Sequence, residues 1–212
     1  MPRGTVVVVP GLWVPPFLMR PLAHRLADDG RHVVRFGYRS VRATLEDNAD
    51  ALVAFCHGRS GPFDFVAHSL GGVVVATALD RAADLPVRRC VLIGTPFADC
   101  HAGRRFARYP GGATLLGRTL RQWLAQDRPG LGRRCEVGVI AGDLSAGLGR
   151  LVATDLPRPN DGVIALAETA VPDMRARIVL PVAHTAQMFS PHVAREASLF
   201  LREGHFSARE QR

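Results

Sequence analysis

Ser69 is the residue whose surroundings most directly indicate chemistry. It stands between an apolar run that ends at Ala67 and an apolar run that begins at Leu70. A sharp turn from a strand into a helix can hold a serine oxygen above a sheet if the residues two positions away are small, as Ala67 and Gly71 are. The pattern predicts a nucleophilic serine whose developing charge is stabilised by the helix N-terminus. The alternative is a serine that only caps the helix.

A nucleophilic serine needs a positioned base, because its hydroxyl is a poor nucleophile at neutral pH. A strand-to-helix turn that carries a nucleophilic serine is called a nucleophile elbow. In chains with such an elbow, an acid and then a histidine follow the serine along the sequence. His184 lies between the last predicted strand and the last predicted helix, so we expect it to be the base. His192, in the first turn of that helix, is the rival. We expect His68 to point away from the serine oxygen.

Two carboxylates are placed to orient the base. Asp143 comes directly after the fifth predicted strand, and Asp161 comes later, between Asn160 and Gly162. We favour Asp161, because its turn-forming neighbours can hold a carboxylate at a loop tip and the apolar residues after it can anchor that loop. Asp143 stays open as the acid, and Asp155 is a more distant third candidate.

Two main-chain N–H groups are needed to bind the oxyanion that forms when a serine attacks a carbonyl. Leu70, directly after the nucleophile, is one expected donor, and Leu12, in the loop after the first strand, is the other. Gly11 gives this loop conformations that other residues resist. We expect Trp13 and Phe17 to bind substrate, although such apolar residues could equally belong to the core.

The elements that must position these residues follow from the alternation of short β-branched runs with longer amphipathic stretches, which is typical of a parallel sheet with crossover helices. The predicted strands are residues 5–9, 32–36, 63–67, 89–93, 136–141 and 177–180. The predicted helices are residues 18–29, 45–57 after the N-cap Thr44, 70–83 and 191–201, with a shorter amphipathic segment over 115–124. The loop after the fifth strand is expected to extend to Asn160.

Composition favours one globular domain over residues 1–212, because 47% of the residues are apolar and 22% are charged. Residues 97–133 are a possible small cap or lid insertion. All 27 basic residues are arginine, which gives a net charge of +8. Because the arginines are spread from Arg3 to Arg212 without a nucleic-acid motif, we expect no specific nucleic-acid partner. A weak attraction to anionic surfaces such as lipid stays open.

Cysteine spacing and hydropathy indicate where the protein works. The four cysteines show no C-x-x-C spacing, so a zinc or redox site is not expected and the thiols are predicted to be small core residues in a reducing compartment: Cys56, Cys90, Cys100 and Cys135. The apolar N-terminal run is interrupted by prolines, so we expect neither a transmembrane segment nor a cleaved signal peptide. These observations predict a cytoplasmic protein. They do not indicate its oligomeric state.

Taken together, these motifs resemble small bacterial lipases and esterases of the α/β-hydrolase superfamily, over roughly residues 5–206. The resemblance implies an α/β-hydrolase fold with a mostly parallel central sheet of about six strands, flanked by helices and carrying a small lid or none. It also implies site roles: Ser69 as nucleophile, Asp161 as acid, His184 as base, and the N–H groups of Leu12 and Leu70 as oxyanion donors.

Two positions depart from the family pattern. Ala67 replaces the first glycine of G-x-S-x-G, and Pro10 stands where the family often has a histidine before Gly11. Alanine is still small enough for the elbow. The main-chain donor after Gly11 can be retained, but the support that a histidine side chain would give to this loop is lost.

The implied activity is hydrolysis of a small-molecule or lipid-like acyl ester through an acyl-enzyme, with no metal and no organic cofactor. The same machinery serves thioesterases, amidases and acyltransferases, and the sequence does not separate these activities. A further alternative is a non-catalytic binding protein on a hydrolase fold.

Overall fold

The computed structural model describes residues 4–28, 30–146 and 154–207. The strands in this part of the chain are β1 (Thr5–Val9), β2 (His32–Arg35), β3 (Phe63–His68), β4 (Val87–Ile93), β5 (Glu136–Gly142) and β6 (Ala176–Leu180). Neighbouring strands are parallel, and their order across the sheet is β2-β1-β3-β4-β5-β6. The predicted parallel sheet of about six strands is therefore confirmed.

Helices cover both faces of this sheet. The α-helices of the described residues are α1 (Arg20–Ala27), α2 (Leu45–His57), α3 (Leu70–Arg81), α4 (His101–Phe106), α5 (Gly112–Ala125) and α6 (Pro191–Glu203). Val6 and Val8 of β1 face a core shared with α1 and α6, whereas Val7 and Val9 face a core shared with α2 and α3. Because successive side chains of a strand point to opposite faces, this doubly covered sheet explains why residues 6–9 of β1 are all apolar.

The first helix differs from its predicted bounds of 18–29. The chain forms a 3-10 turn over Pro16–Met19, and α1 begins only at Arg20. Pro21 explains the difference, because it has no N–H to donate and its ring would clash with the carbonyl group four residues earlier in a continuous helix. Asp29, the predicted last residue, lies outside the described residues, as does the 147–153 part of the loop predicted to reach Asn160.

The segment between β4 and β5 contains two helices, where the sequence indicated one short amphipathic stretch. α4 was not predicted, and α5 is longer than the predicted 115–124 and kinked at Gly117, whose φ is 77°. A methyl group at Gly117 would lie 2.4 Å from the Val41 Cα atom, so glycine is needed where this helix meets the loop after β2. In the parts of the chain that the structure describes, no helix is long and apolar enough to cross a membrane.

Candidate active site

Ser69 occupies a strained turn between β3 and α3. Its φ of 53° and ψ of −125° lie in a region that residues other than glycine rarely adopt. Gly71 permits the turn, because a methyl group there would lie 2.4 Å from the Pro10 carbonyl oxygen. Gly72 lets α3 pack closely on the loop after β4, since a methyl group added at Gly72 would lie 2.2 Å from Thr95 Oγ1. The predicted elbow is thus present in the backbone.

Three predicted site residues form one hydrogen-bonded line. His184 Nε2 lies 3.0 Å from Ser69 Oγ, and His184 Nδ1 lies 2.7 Å from Asp161 Oδ2. A carboxylate only accepts hydrogen bonds, so Nδ1 carries the proton and donates it, which leaves Nε2 free to accept the serine O–H. Asp161 and His184 are both buried, and Ser69 is half-buried. The arrangement can move a proton from the serine hydroxyl to the imidazole.

Asp161 is held by donors on both of its oxygens. Oδ1 accepts hydrogen bonds from the N–H groups of Val163, at 3.0 Å, and Ile164, at 2.7 Å. Burial acts to raise the pKa of Asp161, but the positive charge and hydrogen bond of His184 and the two main-chain N–H groups together hold this pKa below its ordinary value. The carboxylate is therefore kept ionised and fixed opposite the imidazole.

The rival residues lie elsewhere. Asp143 is exposed, and its main-chain N–H donates to the Leu180 carbonyl group. Asp155 is also exposed and pairs with His101 at 3.2 Å. His192 Nε2 lies in the first turn of α6, 3.8 Å from Glu196 Oε1. The structure therefore brings Asp161, and not Asp143 or Asp155, to the histidine that contacts Ser69.

His68 has a contact that the sequence did not reveal. It makes no hydrogen bond to Ser69 in the described structure, in keeping with its expected orientation, and it is only 2% exposed. Its Nε2 donates to the main-chain carbonyl oxygen of His184 at 3.1 Å, and the two rings are 4.8 Å apart. Burial lowers the pKa of His68 to about 3, with a smaller contribution from the charge of His184. His68 is therefore a neutral donor that fixes the loop carrying His184.

Gln187 is a second supporting residue that sequence reasoning missed. It is fully buried, and its Nε2 donates to Asp161 Oδ2 at 3.0 Å. Glycines at the ends of β4 and β5 make room for it, since a methyl group at Gly94 would lie 2.4 Å from Gln187 Oε1, and one at Gly142 would lie 2.5 Å from Gln187 Nε2. The only signal for Gln187 in the sequence was its position three residues after His184. The structure places it inside a one-turn helix.

The two expected oxyanion donors, Leu12 and Leu70, belong to segments that adjoin Ser69. Leu70 is the first residue of α3, where a helical N–H has no intrahelical acceptor. The loop that carries Leu12 touches the serine, because a methyl group at Gly11 would lie 3.0 Å from Ser69 Cβ. The Tyr38 hydroxyl donates to the Pro10 carbonyl oxygen of this loop at 3.0 Å, and burial raises the pKa of Tyr38, which keeps it a donor. Tyr38 thus supplies a loop support that the sequence did not indicate.

Trp13 and Phe17, the predicted substrate-binding residues, are exposed to 57% and 58%. Trp13 has a φ of 58°, and its indole N–H donates to the Leu115 carbonyl group at 3.0 Å. Its ring also meets the Phe106 ring edge-on, with centroids 6.3 Å apart. Trp13 therefore joins the loop beside Ser69 to the α4–α5 segment, at the rim of the site and not in the core.

A family model described as "Alpha/beta hydrolase family" matches residues 6–210. No curated protein matches the chain.

Similar solved structures cover most of the chain. The mature lipase BlEst2 of Bacillus licheniformis has a TM-score of 0.74 at 17% identity, covering 94% of this chain and 91% of that one. A metagenomic carboxyl esterase has a TM-score of 0.65 at 19% identity, covering 94% and 76%. The RedJ thioesterase of the prodiginine pathway in Streptomyces coelicolor has a TM-score of 0.62 at 17% identity, covering 94% and 85%. At these identities the likeness establishes a shared fold.

Proposed function

The chain belongs to the alpha/beta hydrolase family, and on this premise we propose that it is a serine hydrolase that cleaves carboxylic esters through an acyl-enzyme. The observation that carries the proposal is the continuous hydrogen-bonded line from Ser69 Oγ through His184 to Asp161, with links of 3.0 Å and 2.7 Å. A serine that only capped the helix would need neither partner. The strained backbone at Ser69 supports the same reading, because such strain gathers at functional sites.

Acylation begins when Ser69 Oγ attacks the ester carbonyl carbon and passes its proton to His184 Nε2. Asp161 stabilises the imidazolium ion that results and keeps the ring oriented. The carbonyl oxygen becomes an oxyanion, which the N–H groups of Leu12 and Leu70 bind at the N-terminus of α3. His184 then donates its proton to the leaving alcohol as the ester C–O bond breaks.

Deacylation repeats these steps with water in place of the serine. His184 removes a proton from a water molecule, whose oxygen attacks the acyl carbon attached to Ser69 Oγ. The tetrahedral intermediate collapses, the proton on His184 returns to Ser69 Oγ, and the carboxylic acid leaves. No step in this sequence calls on a metal or an organic cofactor. The α4–α5 segment, which meets Trp13 at the rim, is proposed as a small cap over the site.

Hydrolysis of short soluble nitrophenyl esters tests the proposal. We expect turnover by the wild type and loss of all but background turnover in Ser69→Ala, with the folded state of both checked by circular dichroism. Comparable turnover in Ser69→Ala would refute the role of Ser69. Absence of turnover across several acyl lengths in the folded wild type would count against ester hydrolysis.

Thioesters, amides and acyl transfer to other acceptors use the same machinery, so the leaving group has to be varied. A matched acyl ester, thioester and anilide, with and without an added alcohol acceptor, separate these activities. The proposal predicts the highest kcat/KM for the ester, with water as the main acceptor. A preference for the thioester, or predominant transfer to the alcohol, would replace ester hydrolysis by the corresponding activity.

A further inference from the structure

The exposed large apolar side chains of the described residues are confined to one edge of the sheet. Each lies on a segment that follows the carboxyl end of a strand, the edge at which Ser69 also lies: Trp13, Phe17, Tyr109, Leu115, Leu144 and Phe189. Their exposed fractions run from 41% to 58%. Among the described residues, the segments at the opposite edge contain no side chain of this kind. Scattered apolar side chains are ordinary on a protein surface, but a set gathered around a candidate active site indicates a binding surface.

Three of these side chains form a continuous surface, here called the mouth patch: Trp13, Tyr109 and Leu115. The Phe106 ring joins them, with its centroid 6.3 Å from that of Trp13 and 6.4 Å from that of Tyr109. The Trp13 indole N–H is bound to the Leu115 carbonyl group, which fixes the third member beside the first. The mouth patch therefore combines two connections: the loop after β1, which adjoins Ser69, and the segment between β4 and β5.

Exposed arginines flank the mouth patch. They are Arg39, Arg42, Arg108 and Arg118. Arg108 is next to Tyr109 in the chain. The main-chain N–H of Arg118 donates to the Val41 carbonyl group at 3.0 Å, and this hydrogen bond brings Arg118 beside Arg42. None of the four forms an ion pair within 4 Å in the described residues, whereas Arg104 pairs with Asp99. The exposed Asp47 carboxylate is the nearby counter-charge, since its pKa is lowered by its hydrogen bonds to Thr44 and also by the charge of Arg118. The surroundings of the mouth patch are therefore cationic.

We propose that the mouth patch docks the protein on an anionic lipid–water interface, from which the ester substrate enters the site. Tryptophan and tyrosine suit such an interface, since each combines an apolar ring with a polar group that can stay in water. Binding of this kind gains from buried apolar area and from attraction between arginines and anionic lipid headgroups. The inference rests on the proposed function in one respect: the molecule that enters the site from the lipid surface is an ester substrate.

The arginines around the mouth patch favour a lipid surface over a second copy of the chain as its partner. Two copies meeting through their mouth patches would bring eight arginines together against only the two Asp47 carboxylates that interact with Arg118, which is unfavourable. A layer of anionic headgroups over acyl chains offers both complements at once, negative charge for the flanking arginines and an apolar interior for the rings.

Cosedimentation of the Ser69→Ala protein with lipid vesicles tests the proposal. We expect binding to phosphatidylcholine vesicles that contain phosphatidylglycerol, weaker binding to phosphatidylcholine alone, and a decline as salt is added. Tyr109→Ser with Leu115→Gln should lower the affinity for the mixed vesicles while the thermal unfolding midpoint stays close to that of the parent. Because this assay uses an inactive serine variant, its result is independent of whether the wild type hydrolyses esters.

A charge-matched pair of variants separates local docking from overall attraction of a cationic protein. Arg42→Gln with Arg108→Gln removes two charges beside the mouth patch, and Arg59→Gln with Arg133→Gln removes two exposed charges at the opposite edge of the sheet. We expect the first pair to weaken binding about 25-fold, from roughly fivefold for each arginine, and the second pair to leave binding within about twofold.

Three outcomes would overturn the proposal. Equal loss of binding in the two arginine pairs would mean that only overall charge matters. No binding of the folded protein to either vesicle would exclude a lipid surface. A dimer in sedimentation velocity that Tyr109→Ser with Leu115→Gln abolishes would assign the mouth patch to a second copy of the chain.

Discussion

His68 Nε2 donates to the main-chain carbonyl oxygen of His184, and the two atoms lie 3.1 Å apart. The residue beside the proposed nucleophile thus supports the loop of the proposed base. His184 is held from two sides, by Asp161 through its ring and by His68 through its backbone. This double support explains how a loop residue can keep its Nε2 directed at Ser69.

The buried, neutral state of His68 makes the stability of the fold depend on pH. Its pKa is about 3 in the folded chain, against about 6.5 for an unperturbed histidine. As the pH falls below about 6.5, the unfolded chain binds this proton and the folded chain does not, so the free energy of unfolding falls by about 1.4 kcal/mol per pH unit. The loss continues until the folded His68 titrates near pH 3.

His68→Gln should remove that dependence, since glutamine can donate to the same carbonyl group but does not titrate. Urea unfolding at a series of pH values between about 6.5 and 4 measures the effect. In the variant we expect the free energy of unfolding to fall less steeply with decreasing pH, by the slope that one titrating proton contributes. Equal slopes for the two proteins would show that His68 is not held neutral by the fold.

Asp161 and Asp143 form a matched pair for testing the acid. Asp161→Asn should lower kcat by about 10⁴-fold, because an amide cannot stabilise the imidazolium ion and favours the wrong tautomer of His184. Asp143→Asn should stay within about threefold of the wild type, since surface changes away from a site have small effects. Steady-state kinetics on a soluble ester checks both. A large loss in Asp143→Asn with activity retained in Asp161→Asn would reverse the assignment.

Gln187→Leu tests the buried donor to Asp161. The substitution removes one hydrogen bond to the carboxylate, so we expect kcat to fall about tenfold, with KM nearly unchanged. The thermal midpoint should change little, because the Oε1 atom of Gln187 has no hydrogen-bond partner in the described structure and its removal offsets part of the loss. A drop in stability with normal kcat would instead make Gln187 a purely structural residue.

Gly71→Ala tests how tightly the elbow packs on the end of β1. Its methyl group would lie 2.4 Å and 2.6 Å from the carbonyl oxygens of Pro10 and Val9. Both contacts involve backbone, so we expect a loss of about 3 kcal/mol in the free energy of unfolding. Gly130→Ala is the matched control, because its nearest neighbour would be 3.6 Å away and its φ is −79°. Equal stability of the two variants would contradict the close approach.

The sequence predicted the sheet because a β-branched run that is apolar on both faces is typical of a buried parallel strand, and residues 6–9 of β1 are such a run. The Thr44 capping box likewise fixed the start of α2. The elbow was predictable too, since small residues, a strand and a helix had to meet at one serine. These features depend on local patterns, which a single sequence contains in full.

The missed features depend on contacts between distant segments. Tyr38, Gln187 and the donor role of His68 each involve partners in other segments, so no spacing revealed them. The choice between Asp161 and Asp143 was a matter of loop geometry, because only the turn after Asn160 folds a carboxylate back to His184. α4 was missed because its six residues are too few for a clear helical period.

Intact-mass analysis after treatment with a fluorophosphonate, with the labelled peptide identified, tests whether Ser69 is a nucleophile activated by His184. We expect one phosphonyl group on the wild type, located at Ser69, no label on Ser69→Ala, and much slower labelling of His184→Ala, with all three proteins folded. Stoichiometric labelling of Ser69→Ala, or no labelling of the folded wild type, would contradict this role of Ser69.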